Sequence, residues 1–213
     1  FVIVINEEKS ERIPLTICDY SKEEKSITLV VQVVGDGTKK MCEKSVGEVF
    51  RDIVGPLGNP SELVFMNEEE LKTKNILFVA GGLGTAPIYP QAKWAKEQGV
   101  KHDVIIGTKN KQTLIFEDLM KKVSDTLYIC TDDGSYGDKG LVTNKIKDLI
   151  ENEHKHYDIV VAIGPMIMMK FVCELTKQYN IRTIVSLNSL MVDGTGMCGA
   201  CRVRVGDEIK FTC

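Results

Sequence analysis

The sequence predicts a fold in two parts: a β-rich part that forms a small antiparallel barrel, and an α/β part built on a parallel sheet. Short β-branched strands punctuated by glycine and proline fill the first third of the chain. From residue 75 onward, apolar strands alternate with helical segments, which is the pattern of a parallel sheet covered by helices. The last residues form a glycine- and cysteine-rich loop, which indicates a metal centre.

Composition limits the classes of function. The 213 residues are 43% hydrophobic with a net charge of −3 and no basic stripe, so we expect a globular protein without a nucleic-acid partner. No apolar run approaches the roughly 18 residues of a membrane helix, so no membrane partner is expected. Seven irregularly spaced cysteines do not resemble a secreted disulfide framework, which predicts a cytoplasmic protein. The chain starts in a strand without Met and stops on a candidate ligand, so we expect a piece of a longer polypeptide.

The barrel is predicted from three strand-like stretches. Residues 1–5 and 27–34 are rich in β-branched side chains, and residues 46–58 read as a further strand and turn. Their spacing and their glycine and proline punctuation suit an antiparallel barrel, which we place in residues 1–70.

Two segments of this part suit a bound phosphate. Arg12 offers a planar guanidinium that matches a phosphate, and Pro14 stiffens the strand end that presents it. Gly37 and Thr38 lie where a glycine turn enters a short helix, so backbone N–H groups there form a second candidate anion site. Taken singly, each segment reads as an exposed strand arginine or an ordinary turn. Their order along the chain favours the phosphate interpretation.

The α/β part begins with a nucleotide-type turn. Residues 75–80 form a continuous apolar strand, followed by three glycines within residues 81–84 and a helix predicted at 88–98. A strand, a glycine turn and a helix amino terminus together bind a diphosphate through free N–H groups and the helix dipole. The spacing differs from G-x-G-x-x-G, but three glycines so close to a buried strand are hard to explain by packing.

Four further strands, at 101–107, 126–130, 157–163 and 181–187, complete a sheet that we place in residues 71–190. The turns after its strands should line one cleft, because ligands bind at the carboxyl ends of parallel strands.

Asp132 follows one of these strand ends. A carboxylate there suits an unphosphorylated ribose, whereas Lys109 after the preceding strand suits a 2′-phosphate. The choice between NAD(H) and NADP(H) therefore stays open.

Residues 191–213 read as a metal loop. Cys198, Cys201 and Cys213 fill the last three positions of the plant-type C-x4-C-x2-C…C pattern, and Asp193 stands where the first cysteine would be. A hairpin within 202–213 would return Cys213 to the other cysteines. We interpret the loop as a [2Fe–2S] site with one carboxylate ligand; a zinc knuckle or plain buried thiols are the alternatives.

Three phrases together resemble the ferredoxin–NADP reductase superfamily: Arg12-Ile-Pro-Leu-Thr16, Asp132-Asp-Gly-Ser-Tyr-Gly137 and Met191-Val-Asp-Gly-Thr-Gly-Met-Cys-Gly-Ala-Cys201. The likeness covers essentially the whole chain. The last phrase is similar to the electron-transfer subunits of dihydroorotate dehydrogenase. It is also similar to the small (alpha) subunits of NADH-dependent ferredoxin:NADP oxidoreductase, also called sulfide dehydrogenase subunit beta. The resemblance implies a flavin-binding barrel, here partial, followed by a Rossmann-like NAD-binding domain and a [2Fe–2S] loop.

The resemblance also implies the residues that hold each cofactor. For FAD they are Arg12, Pro14, Leu15, Thr16, Gly37 and Thr38. For NAD(H) or NADP(H) they are Gly82, Gly84, Thr85, Pro87, Asp132, Gly164 and Pro165. For the [2Fe–2S] cluster they are Asp193, Cys198, Cys201 and Cys213. No catalytic side chain is expected, because the hydride chemistry belongs to the cofactors.

The implied function is electron transfer from NAD(P)H through FAD to the cluster. From there electrons would pass to a larger flavin and iron–sulfur subunit in a heterodimer, and indirectly to ferredoxin. The dihydroorotate-type subunits carry four cysteines in the loop, so Asp193 favours the ferredoxin:NADP type. Two alternatives remain: the electron-transfer subunit of dihydroorotate dehydrogenase, and a zinc-stabilised nucleotide-binding module without redox activity.

Overall fold

A computed structural model describes residues 1–213, which divide into two compact units. The first unit combines residues 1–60 with residues 187–213, and the second is the continuous segment 61–186. The boundaries expected at residues 70 and 190 stay predictions.

Thirteen strands and six helices make up the two units. The strands are β1 (Val2–Ile5), β2 (Arg12–Leu15), β3 (Ile17–Ser21), β4 (Ser26–Leu29), β5 (Asp52–Val54), β6 (Asn75–Gly81), β7 (Lys101–Thr108), β8 (Thr126–Thr131), β9 (Asp138–Lys139), β10 (Ile159–Ile163), β11 (Arg182–Val185), β12 (Arg202–Val205) and β13 (Glu208–Phe211). The helices are α1 (Asp36–Cys42), α2 (Glu68–Lys72), α3 (Thr85–Glu97), α4 (Glu117–Val123), α5 (Val142–Glu151) and α6 (Met166–Gln178). No helix combines the length and apolar character needed to cross a bilayer.

The first unit is antiparallel throughout. Its strands form a sheet of order β2-β1-β5, a β3–β4 hairpin and a β12–β13 hairpin. Val2, Val4, Ile13 and Met41 form a small core between this sheet and α1. The antiparallel pairing of the predicted partial barrel is confirmed.

The predicted strand 27–34 is wrong beyond residue 29. The strand ends at Leu29, and the chain then runs into the start of α1. There the Thr38 hydroxyl accepts hydrogen bonds from the N–H groups of Val34 and Gly35, both at 3.0 Å. These two donors therefore stabilise a helix start and do not pair with a neighbouring strand.

The second unit is a six-stranded parallel sheet of order β11-β10-β6-β7-β8-β9. Residues 76–80 of the central strand β6 have no exposed surface, as expected for a strand with both faces covered. The chain leaves β6 toward β7 on one side and later returns to β10 on the other. The strand order thus reverses beside β6, which is where open α/β sheets bind ligands.

The turns after β6 and β10 are in backbone contact. A Cβ atom added to Gly84 would lie 2.1 Å from the carbonyl oxygen of Ile163, and one added to Gly164 would lie 2.9 Å from the Cα of Gly81. Packing therefore requires glycine at 84, contrary to the expectation that packing would not explain this turn. Gly82 differs, because it has φ +53 and open space around it.

We expect Gly84→Ala to lower the free energy of unfolding by about 2–3 kcal/mol, because the added methyl group meets a backbone carbonyl that cannot rotate away. Gly82→Ala is the matched control, and should cost about 1 kcal/mol from its left-handed backbone alone. Thermal and urea denaturation of the two variants measure this difference. Equal destabilisation would contradict the close approach of the two turns.

Candidate functional site

The turn between β6 and α3 is held in shape by a hydrogen bond between two of its own residues. Thr85 is fully buried, and its hydroxyl donates a hydrogen bond to the carbonyl of Gly82 at 2.8 Å. This bond starts α3 three residues earlier than predicted. Thr85 therefore shapes the turn with its side chain, and the amide groups of the first helical turn are the donors suited to a diphosphate. Pro87 lies half-buried in that same turn.

Two adjacent carboxylates follow β8 and have different environments. Asp133 Oδ1 accepts a hydrogen bond from the N–H of Ser135 at 2.9 Å, and the hydrogen bonds from Ser135 hold the pKa of Asp133 below its usual range. Asp132 is exposed, and its carboxylate makes no hydrogen bond or ion pair within the chain. Asp133 thus closes the turn, and Asp132 is the carboxylate left to meet a ligand.

The loops after β7 and β8 are tied together by residues that sequence reasoning missed. The ammonium of Lys111 lies 4.8 Å from the ring centroid of Tyr136, and the Tyr136 hydroxyl donates a hydrogen bond to Glu117 at 2.7 Å. The backbone N–H of Lys111 also donates to the Ser135 hydroxyl. Ser135 and Tyr136 carried a signal, because both belong to the Asp132–Gly137 phrase, whereas Lys111 and Glu117 carried none.

In the first unit, the two predicted phosphate segments are in contact. A Cβ atom on Gly37 would lie 2.9 Å from the Ile13 side chain and 2.0 Å from a carboxylate oxygen of Glu11. The buried side-chain amide of Asn6 donates a hydrogen bond to the Gly37 carbonyl at 2.8 Å. β2 and the glycine turn therefore form one surface, although the exposed Glu11 carboxylate would have to move aside for an anion.

The side chains of residues 12–16 that are assigned to FAD differ in exposure. Arg12 and Thr16 are exposed, so both can reach a ligand. Pro14 and Leu15 are partly buried, and Leu15 packs on the core of the unit. β2 is an edge strand, which is where a proline without an N–H group fits a sheet.

The four predicted cluster ligands lie in one loop as two pairs. The sulfur atoms of Cys201 and Cys213 are 3.0 Å apart, and both residues are buried. Asp193 Oδ2 accepts the N–H of Cys198 at 2.9 Å, and its Oδ1 accepts the N–H of Thr195 at 2.7 Å. These hydrogen bonds from Thr195 and Cys198 lower the pKa of Asp193, which keeps its carboxylate ionised and able to bind a metal.

The predicted hairpin, β12–β13, returns Cys213 to Cys201, one of the two cysteines expected beside it. Val205 pairs with Glu208 across a two-residue turn that contains Gly206 at φ +61. Ser189 supports the base of the hairpin, because its hydroxyl donates to the Cys201 carbonyl at 3.3 Å and also bonds the hydroxyl of Thr212. Nothing in the sequence pattern pointed to Ser189.

The arrangement suits a two-iron cluster. A [2Fe–2S] cluster takes two protein ligands on each iron. The sulfur atoms of Cys201 and Cys213 lie together, and the Asp193 carboxylate is bonded to the backbone N–H of Cys198. No set of three or more His, Cys, Asp or Glu side chains converges on a single point in the chain. Three thiols and one carboxylate are nevertheless ligands that iron accepts, so the residues present fit the cluster as a donor set.

Comparison with known proteins agrees with two of the candidate binding segments. Residues 78–174 match the oxidoreductase NAD-binding domain, and residues 188–213 match the iron–sulfur cluster binding domain of dihydroorotate dehydrogenase B. The fold and these two domains define an oxidoreductase of the ferredoxin–NADP reductase type with an iron–sulfur segment. The predicted superfamily, fold class and enzyme class are confirmed.

Individual relatives place the chain more narrowly. A dihydroorotate dehydrogenase B electron-transfer subunit homologue of Thermotoga maritima is 46% identical over the whole chain, which spans 72% of that protein. An uncharacterised protein encoded in the adh 3′ region of Clostridium beijerinckii is 55% identical over the whole chain and 72% of its own length. A solved structure of NADH-dependent reduced ferredoxin–NADP oxidoreductase superposes with a TM-score of 0.90 at 45% identity, covering all of this chain and 74% of that one.

The chain belongs to the family of dihydroorotate dehydrogenase B electron-transfer subunits and their homologues.

Proposed function

We propose that this protein is the electron-transfer subunit of an NADH-dependent ferredoxin:NADP oxidoreductase. In this proposal it passes electrons from a nicotinamide nucleotide through FAD to a [2Fe–2S] cluster and on to a larger flavin and iron–sulfur subunit. The proposal rests on one observation at Asp193. This residue occupies the position of the first cysteine in the plant-type pattern, and its carboxylate accepts the backbone N–H of Cys198. The solved structure at 45% identity, whose subject is such an oxidoreductase, supports the same choice.

Different residues of the chain bind the nucleotide, the flavin and the cluster. When bound, FAD takes up a hydride from the nicotinamide, and the cluster carries electrons one at a time. The amide groups at the start of α3 would bind the nucleotide diphosphate beside Gly82 and Gly84. Asp132, which would meet the ribose hydroxyls, and the turn at Gly164 and Pro165 would close the nucleotide site.

The flavin is held by the other unit. Arg12 and Thr16 bind its phosphate side, and the amide groups of the Gly37 turn contribute further donors. The Thr38 hydroxyl holds that turn in shape, since it already bonds two amide groups and the Gly35 carbonyl. Asp193, Cys198, Cys201 and Cys213 then ligate the cluster.

A second candidate is the electron-transfer subunit of dihydroorotate dehydrogenase. The family description matched by residues 188–213 and the names of several relatives favour it. Anaerobic purification of the native complex distinguishes the two. Recovery with a larger flavin and iron–sulfur subunit and NADH-dependent ferredoxin turnover supports the proposal, whereas recovery with a dihydroorotate-oxidising subunit supports the second candidate. A colourless zinc protein without flavin would contradict both.

Substitutions at Asp193 test the cluster ligand. We expect Asp193→Ala to shorten the half-life of the cluster by roughly tenfold or more, because a ligand and two loop hydrogen bonds are lost together. Asp193→Cys should retain the cluster with a changed visible and electron paramagnetic resonance spectrum, because a thiolate replaces the carboxylate. Iron content and spectra of anaerobically reconstituted protein measure both effects.

The Asp193→Asn variant distinguishes a role of Asp193 as a cluster ligand from a role in shaping the loop. The amide oxygen can still accept the N–H of Thr195 but is a poor ligand, so we expect it to lose the cluster as Ala does. The control is Asp207→Asn in the β12–β13 turn, where the carboxylate bonds only Arg204. Retention of a normal cluster by Asp193→Asn would show that the residue only shapes the loop.

Nucleotide preference tests Asp132. We expect wild-type protein to prefer NADH, and Asp132→Ala to shift the ratio of kcat/KM for NADPH over NADH upward by about tenfold. A carboxylate near a 2′-phosphate costs on the order of 1 kcal/mol, and the lost hydrogen bond to the ribose costs a similar amount. Glu97→Ala, at the far end of α3, is the control for a lost surface charge. An unchanged ratio in Asp132→Ala would remove this residue from the ribose site.

A further inference from the structure

One long-range hydrogen bond joins β2 to the cluster loop. The Nε–H of Arg12 donates to the carbonyl oxygen of Val192 at 3.1 Å, across 180 residues of sequence. Val192 immediately precedes Asp193, so the bond fixes the peptide plane from which the Asp193 side chain departs. An arginine assigned to FAD from the sequence is thus bonded to the segment that carries a cluster ligand.

The effect of this bond continues along the loop. The carboxylate of Asp193 accepts the N–H groups of Thr195 and Cys198, at 2.7 and 2.9 Å. The direction of the Val192 peptide therefore sets the position of Asp193, which in turn sets the backbone of Cys198. These are the two ligands of one of the pairs described above.

The other side of Asp193 is fixed by apolar packing. Gly194 has φ +75, and a Cβ atom on it would lie 2.9 Å from the Ile3 side chain and 3.0 Å from that of Leu57. The backbone is therefore held on both sides of Asp193. Before it, Val192 is hydrogen-bonded to Arg12, and after it, Gly194 packs closely against apolar side chains.

We propose that Arg12 is a positioning residue for the iron–sulfur loop, holding Asp193 and through it Cys198 in the arrangement that binds the cluster. The inference rests on the proposed function, since it takes Asp193 as a ligand. A guanidinium has five N–H donors in a fixed plane, so Nε can bond Val192 while the terminal nitrogens remain for a phosphate. A lysine ammonium keeps the charge but lacks this geometry.

The test compares Arg12→Lys with wild type, both anaerobically reconstituted with iron and sulfide and kept in excess FAD. We expect iron release to a ferrous chelator to be roughly three to ten times faster in the variant, the effect of losing one charge-assisted hydrogen bond. We also expect a changed electron paramagnetic resonance spectrum of the reduced cluster, because the carboxylate-bound iron loses its fixed geometry. Arg51→Lys is the matched control, since Arg51 is an exposed arginine of the same unit whose guanidinium has no partner.

A flavin-free arm separates positioning from flavin binding. When FAD is stripped from both proteins, Arg12→Lys should still release iron faster than wild type, because the Val192 bond does not involve the flavin. Equal release rates and identical spectra in this arm would overturn the proposal, even if the variant binds FAD more weakly. If wild-type protein takes up no cluster at all, the proposed function and the role of Arg12 fail together, whereas equal release rates in two proteins that both bind a cluster overturn the role of Arg12 alone.

Discussion

Each candidate binding segment depends on a glycine. At that position the backbone lies closer to a neighbouring backbone or side chain than any residue with a Cβ atom would allow. Gly84 lets the turn after β6 lie against the carbonyl of Ile163, and Gly37 lets the α1 turn lie against β2. Gly194 does the same for the cluster loop against Ile3 and Leu57. In all three places a side chain would push apart two segments whose joint surface makes the site.

Several polar side chains in the candidate binding turns hold those turns in shape. The hydroxyls of Thr38 and Thr85 and the carboxylate of Asp133 each make a hydrogen bond within their own turn. The groups left for ligands are backbone amides and a few exposed side chains, chiefly Arg12 and Asp132. Such turns are preorganised, so binding does not first have to order them.

The sequence was most informative where periodicity is strong and neighbours are local. The buried strand β6 and the β12–β13 hairpin were predictable within a few residues, because apolar runs and turn residues determine them directly. The bond from Arg12 to Val192 was not predictable, because it joins segments 180 residues apart. The roles of Asn6 and Ser189 were also invisible, since each contacts backbone groups that carry no pattern in the sequence.

The discontinuity of the first unit imposes an order on folding. Residues 61–186 form a continuous unit with its own sheet, and this unit can complete its contacts while later residues are still being synthesised. The first 60 residues must wait for residues 187–213, which are synthesised only after the whole of the second unit. The metal loop consequently completes its contacts with the first 60 residues only after the second unit has been synthesised, and contacts of such high sequence separation are slow to establish.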